Sequence, residues 1–339
     1  MLIRTIISTL VLLAPLAAQA FSFTPGHYYV STGSTIEQLD ASGQFVDRIA
    51  PSGKTALQSE LRGIAFGQDG LYVVRDNDLS TDAFKAGVEV INQTGQVLRS
   101  YTYSGWTAGQ ISSGQIAFSN DRQSFYVGAL DGIYRFDVNA SEGIRITDEA
   151  AGGITVMPNG DILATHGYSI SRYDSEGREL GTIGNILQDP KGLTKAFNDQ
   201  SFVQLVDATG IAYDQRTDTV YVSMLGYSGG IKTDMTFKVL ALDGFSPTIK
   251  DITSYWYGSQ MFVNDNGNLV IGSRTLPPSL FSPELDMVMP LGSAKGMFVT
   301  AMAVPEPETM ILFGLGAAAI SWMQARKRAK ATESNPIAG

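Results

Sequence analysis

Cysteine is absent from the 339 residues, so no disulfide framework, thiolate nucleophile or zinc–thiolate centre can be built from this chain. A fold without such staples must be stabilised by burial and hydrogen bonding, which calls for a large core. Histidine is nearly absent as well, with only His27 and His166, and a zinc site would need both together with carboxylates. Basic residues are in deficit: positions 21–304 hold 19 Lys and Arg against 30 Asp and Glu, a net charge of −11. Nucleic acid is excluded as a partner by that balance, because neutralising phosphates requires the opposite sign. No phosphate-binding P-loop and no G-x-S-x-G nucleophile elbow are read from the sequence.

What is present begins with the two ends. The first twenty residues have the layout of a secretory signal: basic Arg4, an apolar run from Ile6 to Leu16, and the small-residue site Ala18-Gln19-Ala20. Cleavage by signal peptidase is expected after Ala20. At the other end an apolar stretch, Met310 to Met323, lies between Pro305-Glu306-Pro307 and the basic residues Arg326, Lys327 and Arg328. Residues 308–325 have about the minimum length for a helix to cross a bilayer core of roughly 30 Å. Basic residues beyond the span place that end in the cytoplasm, and the export signal independently places the body outside.

The Pro-Glu-Pro motif, apolar span and basic stop, in that order, resemble the PEP-CTERM sorting signal of bacteria that make exopolysaccharide. The resemblance covers about the last 35 residues. It implies recognition by an exosortase, a membrane protease-transpeptidase, and a route through transient inner-membrane anchoring, with the body in the periplasm, to the cell surface or extracellular space. The expected divisions are a signal peptide at 1–20, a body at 21–304, a sorting signal at 305–330 with its transmembrane helix at 308–325, and a disordered tail at 331–339.

Within the body a short run recurs six times: Gly63 to Phe66, Gln115 to Phe118, Gly153 to Val156, Gly210 to Tyr213, Gln260 to Val263 and Gly296 to Val299. Polar turns then lead into second strands such as Leu71 to Val74, Phe125 to Gly128 and Val220 to Ser223. Third strands end in Asp or Asn, as at Asp40, Asn92, Asp137, Asp174 and Asp243, and most copies continue through a small polar turn into a fourth. Four antiparallel strands repeated in this way predict an all-β, six-bladed β-propeller, with seven blades as the alternative. The N-terminal segment supplies strands two to four only, and Gly296 to Val299 supplies a lone first strand. The two ends are therefore expected to close one blade, which removes the open edges of a linear array. The Tyr-Val strands resemble the NHL and YVTN classes of propeller repeat.

Propeller function collects on the face where first strands begin and second strands end, because loops from every blade converge there. Arg62, Arg75, Asp76, Asn77, His166, Asp207, Gln260 and Arg274 are expected on it. Ligand-binding candidates are Trp256, Tyr257, Arg75, Asn77 and Arg274, since flat aromatic faces suit stacking on sugar rings. His166 is the candidate general base, although the sequence identifies neither a nucleophile nor an orienting partner for it. No cofactor is evident; Glu60, Asn77, Asp207 and Asn264 are of the type by which gluconolactonase-like propellers hold calcium. Three readings follow: an exported surface or matrix protein that binds exopolysaccharide or a protein partner, a calcium-dependent hydrolase of lactonase or lyase type, and a passive envelope component.

Overall fold

The computed structural model describes residues 23–51, 59–77, 87–105, 114–167, 169–183, 202–228, 234–254, 258–273, 276–293, 296 and 298–303. The expected signal peptide with Ala18 and Ala20, the motif Pro305-Glu306-Pro307, the span at 308–325 and the basic stop Arg326, Lys327 and Arg328 lie outside the described residues. No helix among the described residues is long and apolar enough to cross a membrane.

Short β-branched and aromatic runs bounded by polar turns dictate strands, and all the described regular elements are strands; Tyr28–Ser31, Ile36–Leu39 and Leu269–Ser273 are buried at every position because neighbouring blades cover both faces. Tyr28–Ser31 (β1), Ile36–Leu39 (β2) and Phe45–Ile49 (β3) pair antiparallel in chain order. Ser59–Phe66, Leu71–Asn77, Gly87–Ile91 and Val97–Thr102 (β4–β7) form the second blade, and Ile116–Phe118, Ser124–Ala129, Gly132–Asp137 and Ile144–Thr147 (β8–β11) the third. Ile154–Val156, Ile162–His166, Ser169–Tyr173 and Glu179–Ile183 (β12–β15) form the fourth. Phe202–Asp214, Thr219–Ser228, Asp234–Asp243 and Ile249–Ser254 (β16–β19) make the fifth, and Gly258–Val263, Leu269–Ser273, Ser279–Phe281 and Met287–Pro290 (β20–β23) the sixth. The last strand, Phe298–Ala301 (β24), returns to β1, so that the first blade reads β24-β1-β2-β3. Six four-stranded sheets result, which sets aside the seven-bladed alternative.

Closure occurs with the register Tyr28↔Ala301, Tyr29↔Thr300, Val30↔Val299 and Ser31↔Phe298. The closing strand therefore starts two residues later than the expected Gly296. A two-residue shift keeps each side chain on its face, because the pleat has period two, and Phe298 and Val299 are both buried. Gly296 instead bridges Ser273 at the end of β21.

One apolar cluster fills each of the six seams between blades. Between the second and third, Tyr72, Tyr101, Phe125 and Phe136 are fully buried, and Phe125 meets Tyr72 and Tyr101 edge to face at 5.1 and 5.0 Å. Burying an aromatic of this size stabilises the fold by about 1.5–3 kcal/mol. The Tyr of the Tyr-Val strands is thus a seam residue.

The recurring Asp or Asn after the third strand has a local cause. Oδ1 of Asp40 accepts hydrogen bonds from the amides of Ser42 and Gln44 at 2.9 Å each, and Asn92 and Asp174 repeat the arrangement with Thr94 and Gln96, and Glu176 and Arg178. Each turn then needs a residue with positive φ, and at Gly95 (φ +80°) a Cβ would also fall 2.3 Å from the Ala50 carbonyl oxygen of the preceding blade. Gly43 and Gly177 approach Pro290 O and Ile146 O of their preceding blades in the same way.

Candidate functional face

The two ends of the ring differ. On one, which we call the turn face, connections are short and side chains tie neighbouring blades together. Asn120 donates to Met157 O and Pro158 O at 3.0 and 2.8 Å, Arg216 to Asp265 O and Asn264 O at 2.9 and 3.2 Å, and Arg135 to Ser175 O at 3.1 Å. Asp214, only 2% exposed, anchors one such tie: burial pushes its carboxyl up, but hydrogen bonds from the Arg216 side chain and amide and from Thr217 outweigh this and hold it below the usual carboxylate range.

The opposite end, the loop face, is where β4 begins and β5 ends. The connections 78–86, 184–201, 229–233 and 255–257 all join strand ends of this side. In the fifth blade β16 and β17 stay paired from Asp214↔Thr219 to Phe202↔Ser228, with three register shifts.

Along the axis, two glutamines cross from blade to blade. Gln115 Nε2 donates to Ile211 O at 2.9 Å and Met261 O at 3.2 Å, while Gln260 Nε2 donates to Ile64 O at 2.7 Å and its Oε1 accepts from Ile64 N at 3.3 Å. The innermost strands crowd around them: a Cβ on Gly63 would lie 1.5 Å from Gly114 O. Protein fills the axis at this level, and a ligand on the ring must therefore use the loops or the rim. The Gln at the head of two first-strand runs is explained by this bridging, a role that spacing alone does not reveal.

Of the predicted ligand-binding residues, Arg75 ends the described side chains of β5. It is buried and ion-paired with Glu89, so its charge is spent within the blade. Asn77 closes β5 opposite Ser59, and Asp76 stands opposite Glu60; their side chains lie outside the described residues. Trp256, Tyr257 and Arg274 are also outside them, in connections that follow β19 and β21. Arg62 is half-buried at the start of the inner run.

His166, at the end of β13, has neighbours that the sequence did not disclose. Its Nε2 lies 2.6 Å from Ser171 Oγ and 3.4 Å from Glu149 Oε2, and Tyr173 donates to the same Glu149 oxygen at 2.5 Å. Ser171 Oγ lies 2.6 Å from Thr182 Oγ1, whose hydroxyl donates to Glu179. These contacts make one hydrogen-bonded chain from His166 through Ser171 and Thr182 to Glu179, and Ser171 within it is fully buried. The hairpin His166↔Ser169, turning at Gly167, brings Ser171 and Tyr173 alongside, and a reader folding β13 onto β14 would find them. Glu149 comes from the preceding blade and leaves no such signal.

Two sequence readings need correction. Gly226-Tyr227-Ser228-Gly229-Gly230 does have the G-x-S-x-G spacing that was read as missing. Its serine ends β17, paired with Phe202 on one side and Asp234 on the other, so it belongs to a three-stranded antiparallel extension and not to a strand-to-helix turn. The calcium set also separates. Glu60 lies near the loop-face start of β4, whereas Asn264 follows the far end of β20 on the turn face, where Oδ1 accepts from the amides of Asn266 and Asn268. Strands of five or six residues put these ends about 16 Å apart, too far for one ion. Among the described residues no group of three or more His, Asp or Glu side chains is placed to hold a metal.

Fold and tail together define a class: an exported protein whose body is a six-bladed propeller. Residues 303–328 match the family model described as the PEP-CTERM protein-sorting motif, which implies anchoring at the membrane before sorting and processing by an exosortase-type system. No curated protein matches the chain. Among solved structures, the chain is similar to a protein of unknown function from Bacteroides caccae, at 13% identity over 68% of this chain and 78% of that one, with a TM-score of 0.47. It is also similar to the Neurospora crassa Pan2 WD40 domain, at 9% identity over 78% and 74% of the two chains and a TM-score of 0.47. A third likeness is to the quinohemoprotein alcohol dehydrogenase ADHIIG from Pseudomonas putida HK5, at 11% identity over 81% and 57% and a TM-score of 0.44. The propeller assignment rests on the six sheets and their closure.

Proposed function

We propose that this protein is a binding module of the cell surface or extracellular matrix, delivered there through the periplasm after release from its inner-membrane anchor. Its ligand on this reading is exopolysaccharide or a protein partner, held by the loop face. One observation supports it most: the turn face is committed to blade-to-blade hydrogen bonds and the axis to two glutamines, so recognition falls on this reading to the longer connections of the opposite end. Trp256, Tyr257 and Arg274 belong to those connections, and Asn77 borders them.

Full-length Trp256→Ala protein should be retained less on the producing strain's own polysaccharide than the parent chain, and equal retention would sink the loop-face role. Sorting has a separate test. Alanine at Pro305, Glu306 and Pro307 should leave the protein trapped in the inner membrane, as read by fractionation, and normal release would count against the exosortase route.

A further inference from the structure

A cleft of about 510 Å³ opens off the axis, on the rim of the ring where the sixth blade meets the first. One wall comes from β2 and β3. There Arg48 Nη2 donates to Glu37 Oε1 at 2.7 Å, and the guanidinium sits 5.9 Å from the centroid of the Phe45 ring. The facing wall comes from Pro290, Gly292 and Ser293. Glu37 is only 8% exposed, whereas Phe45 is 56% exposed and Arg48 presents most of its side chain to solvent. Outer strands carry exposed apolar side chains in other blades too, as at Leu98, Ile144, Leu180 and Met287, but Phe45 is the aromatic among them, and it stands beside a buried carboxylate and the Gln44 amide.

Chemistry narrows the occupant. A metal ion would need several carboxylates, and the one present is already paired with Arg48. An apolar ligand would strip water from that ion pair without replacing its hydrogen bonds, at a cost that the small apolar floor around Leu39 cannot offset. A polyanion would face the buried Glu37 and a body of net charge −11. A neutral sugar unit meets every demand: its C–H face stacks on Phe45, and its hydroxyls donate to Glu37 and accept from Arg48 and Gln44. The volume is in the range of small-ligand sites.

We propose that this rim cleft is a binding site for a neutral saccharide, with Phe45 as the stacking platform and Glu37, Arg48 and Gln44 as the hydroxyl-reading groups. The site uses none of the residues named for the loop face, so the two can fail separately. The test is calorimetric titration of full-length protein in detergent with cellohexaose, xylohexaose and polygalacturonate. One of the two neutral oligosaccharides should bind, Phe45→Ala should weaken it about tenfold, and Leu98→Ala, an exposed outer-strand change in the second blade, should leave it unchanged. Glu37→Gln should weaken it as well; since Glu37 is buried, the exposed Phe45 variant is the one whose fold is secure. Binding of none of the three probes, preference for polygalacturonate, or an unchanged Phe45→Ala affinity would each overturn the proposal.

Discussion

Ending the chain after Gly296 removes β24 and leaves β1 as an unpaired inner edge, whereas ending it after Ala303 keeps every closing contact. The difference can be sized. Phe298 and Val299 are 2% and 0% exposed, and full burial of such side chains stabilises by about 1.5–3 kcal/mol each, or about 3–6 kcal/mol together. Four residue pairings with β1 go too, along with the hydrogen bond from Gly26 N to Met302 O at 2.9 Å. A domain's whole stability is about 5–15 kcal/mol, so the loss is a large fraction of it. At about 2–4 °C per kcal/mol, the shorter chain should melt roughly 6–24 °C below the one ending at Ala303. Differential scanning calorimetry on both truncated proteins reads this directly. Melting temperatures within about 2 °C of each other would mean that the ring does not depend on its C-terminal strand, and the closure argument would be wrong.

Two other outcomes follow from the same structure. Gln260→Leu leaves the buried N–H and C=O of Ile64 without their partner, and should lower stability by about 2 kcal/mol or more in urea unfolding; an unchanged midpoint would show that the axis does not need the bridge. Asp214 has a folded pKa below its unfolded value of about 3.9, so its contribution is present above that value and is lost as pH falls through the folded pKa. Asp214→Asn should therefore destabilise at pH 7 and lose its penalty in strong acid, and a penalty independent of pH from 7 to 2 would refute the assignment.

How legible the molecule was depends on which contacts carry the information. Blade number and closure came through because each blade repeats a local grammar: an inner apolar run, a polar turn, a Tyr-Val strand, and a third strand ending in an Asp or Asn that caps its own turn. Those interactions span only a few residues, as between Asp40 and Gln44, and so print themselves in the sequence. The start of β24 was misjudged by two residues because a period-two pattern tolerates that slip. Side-chain partners from other blades were invisible. Glu149 reaches His166 across a seam, Gln115 reaches the fifth and sixth blades across the axis, and the rim cleft needs both β3 and the chain after β23. Asn264 shows the converse error: its residue type suited a metal, but its position at a turn had already committed it to neighbouring amides.

Placing the closing strand last has a consequence for an exported chain. Strands β1 to β3 leave the cell first, yet their sheet lacks its innermost member until residues 298–301 have followed. Until then Tyr28 to Ser31 pair with β2 alone, and the seams on both sides of the first blade lack Phe298 and Val299. An open ring exposes apolar surface and strand edges, the features that favour aggregation. The sorting motif begins at residue 303, directly after the strand. Whatever halts export at that tail does so only once the last piece of the ring has crossed. The order of the sequence thus completes the ring before the sorting motif begins; among the described residues Met302 is the last that hydrogen-bonds the body's N-terminal segment.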